Sequence, residues 1–187
     1  MQVVDQKHQL GVAVLRIGVG IIFLWAGLEK ILGSESWSAA GFLGHATNGT
    51  LGWPFVSNPA EGTVFNPTQG LWVALSGNAT AMTIINLLVP WGQVGIGLSL
   101  ILGLFTRFGA GMGTVMMLLF FVAAWDFEFG MVNQHLTYAL VTFVLGYIGS
   151  GNFYGLDRVW GERVGPGLRR WFFSGDPYRP AQAGMPA

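Results

Sequence analysis

LGVAVLRIGVGIIFLWAGLEKIL, Leu10 to Leu32, decides how the rest of this chain is read. A membrane hydrocarbon core of ~30 Å takes about 20 apolar residues in helical form. This stretch supplies them, with charge only at Arg16, Glu29 and Lys30. Three further runs have the same character. They are Ala79 to Phe105, Phe108 to Trp125 and, from about Val132, the run ending at Ile148. The expected fold is therefore all-α and integral to a membrane, with four transmembrane helices bundled together. The second and third spans should form an antiparallel hairpin through a tight turn at Thr106-Arg107. A short acidic turn, Asp126 to Gly130, should join the third to the fourth. The apolar part of the fourth, Leu136 to Ile148, reaches span length only by drawing Asn133, Gln134 and His135 to the membrane boundary. Unpaired polar groups are costly there, so they should have partners.

Charge placement sets the orientation. The nine basic residues are Lys7, Arg16, Lys30, Arg107, Arg158, Arg163, Arg169, Arg170 and Arg179. Threading the four runs through a bilayer puts all but Lys30 on one side. That is the positive-inside signature of a multi-pass protein of the cytoplasmic membrane with both termini in the cytoplasm. Charged residues make up only 10% of the chain and the net charge is +0, which gives no electrostatic basis for nucleic-acid binding. There is no Cys, so disulfides, thiolate metal sites and cysteine nucleophiles are excluded. The first run lacks a small-residue cleavage pattern and reads as a retained helix rather than a signal peptide.

Residues 1–150 thus read as the transmembrane domain. Its segment 33–77, between the first two spans, is rich in Gly, Asn, Pro and Ser, yet holds Trp37, Phe42, Trp53, Phe55, Phe65 and Trp72. That aromatic content suits an ordered extracytoplasmic cap at the membrane interface. Residues 151–175 alternate aromatics with arginines and read as a cytoplasmic interfacial segment. Residues 176–187 read as a flexible tail.

Ionisable groups at membrane depth mark candidate sites. At about 100° per residue, Gly20, Phe23, Gly27 and Lys30 fall within roughly 40° of Arg16 on one face of the first span. Arg16 and Lys30 are ~21 Å apart along the axis, too far to share a small site. Arg16 either snorkels to headgroups or has a buried partner. Lys30 breaks the charge pattern on the outer side, where it can hold an anion or polarise a carbonyl, or simply meet lipid phosphate. Glu29, Lys30, Asp126, Glu128 and His135 should meet at one outer level beneath the cap. A histidine beside a carboxylate suits proton-coupled chemistry on a lipid-soluble carrier such as a quinone. These five are the candidate catalytic residues, and Arg16, Gly27, Asn133 and Tyr138 the candidate quinone-binding ones. The rival reading is that they are ordinary helix-end residues at the water boundary. Asn86 and Gln93 should make hydrogen bonds between helices, and Pro90 should kink the second span. Of the three histidines only His135 lies near a span, so no bis-histidine haem pair is available, and no metal or flavin site is implied.

Three stretches, LRIGVGIIFLWAGLEKILG (Leu15–Gly33), GLSLILGLFTRFGA (Gly97–Ala110) and NFYGLDRVWG (Asn152–Gly161), resemble the DoxX/DoxD family of small four-helix membrane proteins. The long aromatic cap is more similar to the DoxD branch, the membrane subunit of thiosulfate:quinone oxidoreductase. The resemblance implies that thiosulfate is oxidised outside and electrons pass to membrane quinone, with Arg16, Glu29 and Lys30 the positions carried over. It also implies a second protein subunit, because Lys30 alone offers a dianion little positive charge. The alternative is an accessory subunit packed within a larger respiratory or photosynthetic complex. A transporter is disfavoured, since the chain shows neither repeats nor paired broken helices.

Overall fold

A computed structural model describes residues 6–33, 36–46, 66–124, 133–161, 163–164 and 166–174. Asp126, Glu128 and the 176–187 tail lie outside the described residues, as does most of the middle of the expected cap. The elements in order are α1 (Gln6–Leu32), α2 (Ala39–Ala46), α3 (Gln69–Ser76), α4 (Ala79–Leu102), α5 (Thr106–Ala124) and α6 (Gln134–Tyr147). A 3-10 turn (Ser150–Asn152), α7 (Asp157–Trp160) and α8 (Pro166–Phe172) follow. There is no strand among the described residues. Among the described residues three helices, α1, α4 and α5, are long and apolar enough to cross a membrane. At 14 residues, α6 is shorter than these.

Glycines decide how the long helices pair. The buried residues of α1 are Ala13, Arg16, Val19, Gly20, Phe23 and Gly27, spaced mostly three or four apart along one stripe. That stripe lies against α4. A Cβ on Gly97 would stand 2.5 Å from the Leu24 backbone nitrogen, and one on Gly27 would stand 2.7 Å from the Pro90 carbonyl oxygen. The two backbones therefore touch directly, a packing open only to residues without a side chain. On the other side of the molecule α5 runs along α6. Thr114 and Thr142 meet there hydroxyl to hydroxyl at 3.0 Å. The shared core draws Val19 and Phe23 from α1, Ile96 and Leu100 from α4, Met117 from α5 and Leu145 from α6.

The α4–α5 turn departs from the expected position. Helix α4 stops at Leu102 because Gly103 adopts φ 64°, and Phe105 follows at φ 52°. Thr106 and Arg107 are already the first turn of α5. A glycine in the left-handed region ends a helix at no steric cost. At the start of α6, the Asn133 side chain accepts from the Leu136 backbone N–H at 2.9 Å, an N-cap of the usual kind.

Helices α2 and α3 cover the ends of α4 and α5 opposite the Gly103 turn. Ala39, Leu43, Trp72, Met82 and Ala123 form a second apolar cluster there. Polar groups fasten it. Asn66 donates to the carbonyls of Val122 and Ala123, both at 3.3 Å, which satisfies the C-terminal turn of α5. The Trp72 indole donates to Thr68 Oγ1 at 2.8 Å, and Thr68 Oγ1 to Asn66 Oδ1 at 2.7 Å. Asn86 bonds between helices as expected: its Oδ1 accepts from the Ala39 N–H at 2.8 Å and caps α2. Gln93 Oε1 is buried and has no hydrogen-bond partner among the described residues. Pro90 lies inside an unbroken α4. These features define a cap end, bearing α2 and α3, and a basic end, bearing α7 and α8.

Candidate functional site

At the basic end a charge is buried completely. Arg16 has 0% of its surface exposed and Asp157 2%. The guanidinium donates to the Ser150 carbonyl at 2.6 Å and to the Tyr154 carbonyl at 3.4 Å. The loop after α6 is bent to offer those carbonyls, with Gly149 at φ 68° and Tyr154 at φ 52°. Gly103 and Gly155 press on the guanidinium, since a Cβ at either would stand 2.7 or 2.6 Å from Arg16 Nη1. Asp157 Oδ2 accepts from the backbone N–H of Thr106 at 3.2 Å and of Ser174 at 3.1 Å. Its own N–H donates to the Gly103 carbonyl at 2.7 Å. Four chain segments thus converge around the buried Arg16 and Asp157: α1, the α4–α5 turn, the loop after α6, and the end of α8. Arg16 is not snorkelling. It is a buried tie between the start of α1 and the C-terminal segment.

At the cap end a cavity of about 620 Å³ opens between the cap and the membrane helices. Its walls are apolar and aromatic, including Trp37 and Phe42 before and within α2, Trp72 of α3, Leu88 of α4, and Met116 and Phe120 of α5. Two titratable side chains line it, Lys30 from the end of α1 and His135 from the start of α6. Lys30 Nζ donates back to the Ala26 carbonyl at 2.9 Å and lies 5.7 Å from the centre of the Trp37 ring. One of its three N–H donors is thereby engaged, and the aromatic face holds the cation at the cavity wall. The His135 ring stands edge-on to Phe120, with centroids 5.9 Å apart, and 6.4 Å from Phe42. Aromatic faces fix its plane. A hydrogen-bonding cation and a proton-exchanging ring therefore face an apolar space, the usual composition of a small-molecule site.

The other expected site residues are placed elsewhere. Glu29 is exposed and does not line this cavity. Gly27 is taken up by the contact with α4. Asn133 caps α6, and Tyr138 packs beside the central core. Arg16 sits at the opposite end of its helix. Asp126 and Glu128 lie outside the described residues. Among the described residues no three His, Asp or Glu side chains gather as a metal site. Sequence reasoning missed Trp72, Phe42 and Phe120 as walls, and Asp157 as the partner of Arg16. The aromatic excess of the cap pointed to Trp72 and Phe42 but not to Phe120 of α5. Asp157 stood in one of the motifs as an acidic residue in an arginine-rich segment, which was the available sign.

A family model described as DoxX matches residues 11–126 of the chain. No curated protein and no solved structure matches it.

Proposed function

The chain belongs to the DoxX family, a multi-pass membrane protein on its apolar helices, and from that premise we propose that it is the membrane subunit of a quinone-linked oxidoreductase. The observation that carries the reading is the convergence of Lys30 and His135 on one apolar cavity at the edge of the membrane helices. A quinone ring is flat and apolar with two carbonyl oxygens. Seated between the cap aromatics, it would present one oxygen to Lys30 and the other to His135. As two electrons arrive, negative charge builds on those oxygens. An ammonium already placed stabilises that charge, and a histidine can deliver one of the two protons that complete the quinol. Water supplies the second.

The DoxD-like cap and the Leu15–Gly33 motif favour a sulfur donor of the thiosulfate type. Two thiosulfates joining as tetrathionate release the two electrons the quinone takes up. A second subunit would hold the dianions, since Lys30 is the one cation of this face in the sequence. The same reading makes α6 the fourth crossing of a four-helix bundle in the cytoplasmic membrane, with residues 33–77 outside and both termini inside. The exposure of Leu140, Phe143 and Val144 on α6 supports it, because such a face suits lipid and not water. In this scheme 151–175 lies on the cytoplasmic leaflet.

The rival, an accessory subunit of a larger membrane assembly, draws on the exposed face of Trp160, Leu168 and Trp171 on α7 and α8. Mutation separates the two. Lys30→Met and His135→Ala should each lower quinone reduction by the complex at least ~10-fold, about 1.4 kcal/mol of transition-state stabilisation, with the protein still inserted. Unchanged turnover in both variants would favour the accessory role.

A further inference from the structure

Between α4 and α5, on the outer side of the helices, runs an apolar groove of about 930 Å³. It shares Leu88, Met112 and Met116 with the cap-end cavity, so the two spaces adjoin at those side chains. From that junction it extends towards the basic end, where Phe105, Phe108 and Phe172 close it. Its α4 edge spans Leu87 to Ser99, about 18 Å of helix axis. Glycines form much of its floor: Gly92, Gly95 and Gly109.

We infer that this groove holds the isoprenoid tail of the quinone whose ring occupies the cavity, making the site specific for long-tailed quinones. The inference rests on the proposed ring site and adds a second, separable contact. Three observations carry it. The groove adjoins the cavity at Leu88, Met112 and Met116, where movement of the flexible methionines would let a tail attached to a ring inside leave. Its walls are almost wholly apolar. Gly95 leaves open a space that a larger side chain would fill. At Gly92 a Cβ would stand 2.8 Å from Met116 Cε, so the width of the junction is set by that glycine and one flexible methionine. At Gly95 a Cβ would meet nothing within 4 Å. A large side chain there enters the groove without disturbing the helices.

The test uses the full chain in lipid nanodiscs and a quinone with a photoreactive diazirine midway along its isoprenoid tail. Crosslinks are mapped by mass spectrometry. Binding of the tail-less parent ring is followed separately, by quenching of the cap tryptophans. The expected result is crosslinking concentrated on Trp91, Ser99 and Met112. Gly95→Phe should reduce it about tenfold, whereas Gly111→Phe, equally open but outside the groove, should not. In both variants the parent ring should bind as in the native chain. Crosslinks spread over lipid-facing residues such as Val14 and Phe143, with ring binding intact, would overturn the tail groove and leave the ring site standing. Unchanged labelling in Gly95→Phe would overturn the tail groove as well, the groove then being filled by lipid chains. Failure of the native chain to bind the parent ring would overturn ring site and tail groove together.

Discussion

Arg16 illustrates what a full charge requires inside an apolar helix. Its guanidinium has no exposed surface, so its neighbours must replace water. Two backbone carbonyls accept from it, and Asp157, of opposite charge, is buried in the same cluster of segments. Removing one member leaves the other buried and uncompensated. Arg16→Met and Asp157→Asn should each cost roughly 3–5 kcal/mol, while the double variant should cost much less than their sum. Denaturant unfolding in detergent measures that cycle; additive losses would show the two charges to be independent. The sequence announced a partner or a headgroup for Arg16 but not which partner. Choosing Asp157 depends on a left-handed bend at Gly149 and Tyr154, which no hydrophobic period encodes. Lys30 was legible as an oddity of charge placement, and His135 as a titratable group near a span. Glu29 was legible only as the neighbour of Lys30, but adjacent helix residues point about 100° apart, and only Lys30 turns to the cavity.

At the scale of elements, the long helices follow from their apolar length. What fixes their partners is the absence of side chains at a few positions. Gly20 and Gly97 face each other across α1 and α4, and Gly27 faces Pro90. Gly97→Ala places a methyl group against backbone that cannot rotate aside. It should lower stability by roughly 1–3 kcal/mol, whereas Gly18→Ala, where the added carbon meets nothing, should be neutral. Thermal melting of the purified variants checks both; equal melting points would mean that the helices are not in backbone contact. The stripe on α1 is readable at 3.6-residue spacing. The end of α4 is not, because an apolar Leu104-Phe105 continues the hydrophobic run past the glycine that stops the helix at Leu102. Asn86 does bridge helices, but its partner is the start of α2, since the cap segment returns to the helix surface at that point. Such long-range returns leave no local signature.

For the whole molecule, a tie of hydrogen bonds from buried Arg16 and Asp157 to the backbone holds one end and an aromatic cap covers the other. The tie fastens the C-terminal segment to the bundle and is remote from the cavity. Asp157→Asn should therefore lower stability while leaving quinone affinity within about twofold, as read from ring binding below the melting temperature. The proposed sidedness can be tested directly. The chain has no native cysteine, so single cysteines can be introduced without background. Gln9→Cys and Gly167→Cys should label from one face of the membrane, and Ser38→Cys from the other. Labelling of positions 9 and 167 from opposite faces would mean that α6 does not cross. An orientation to propose could be read from the sequence, because basic residues are sorted along the chain. The cavity could not, since its walls come from α2, α3, α4 and α5 and meet only in the folded molecule.

The central claim is that this chain seats a quinone ring beneath its cap, between Lys30 and His135. The most direct measurement is the amount of quinone retained per chain after gentle purification, quantified by mass spectrometry for the native protein and for Lys30→Met. The account predicts close to one quinone per native chain and a loss of at least ~10-fold in the variant. Equal retention by the two proteins, at the level set by the detergent micelle alone, would contradict it.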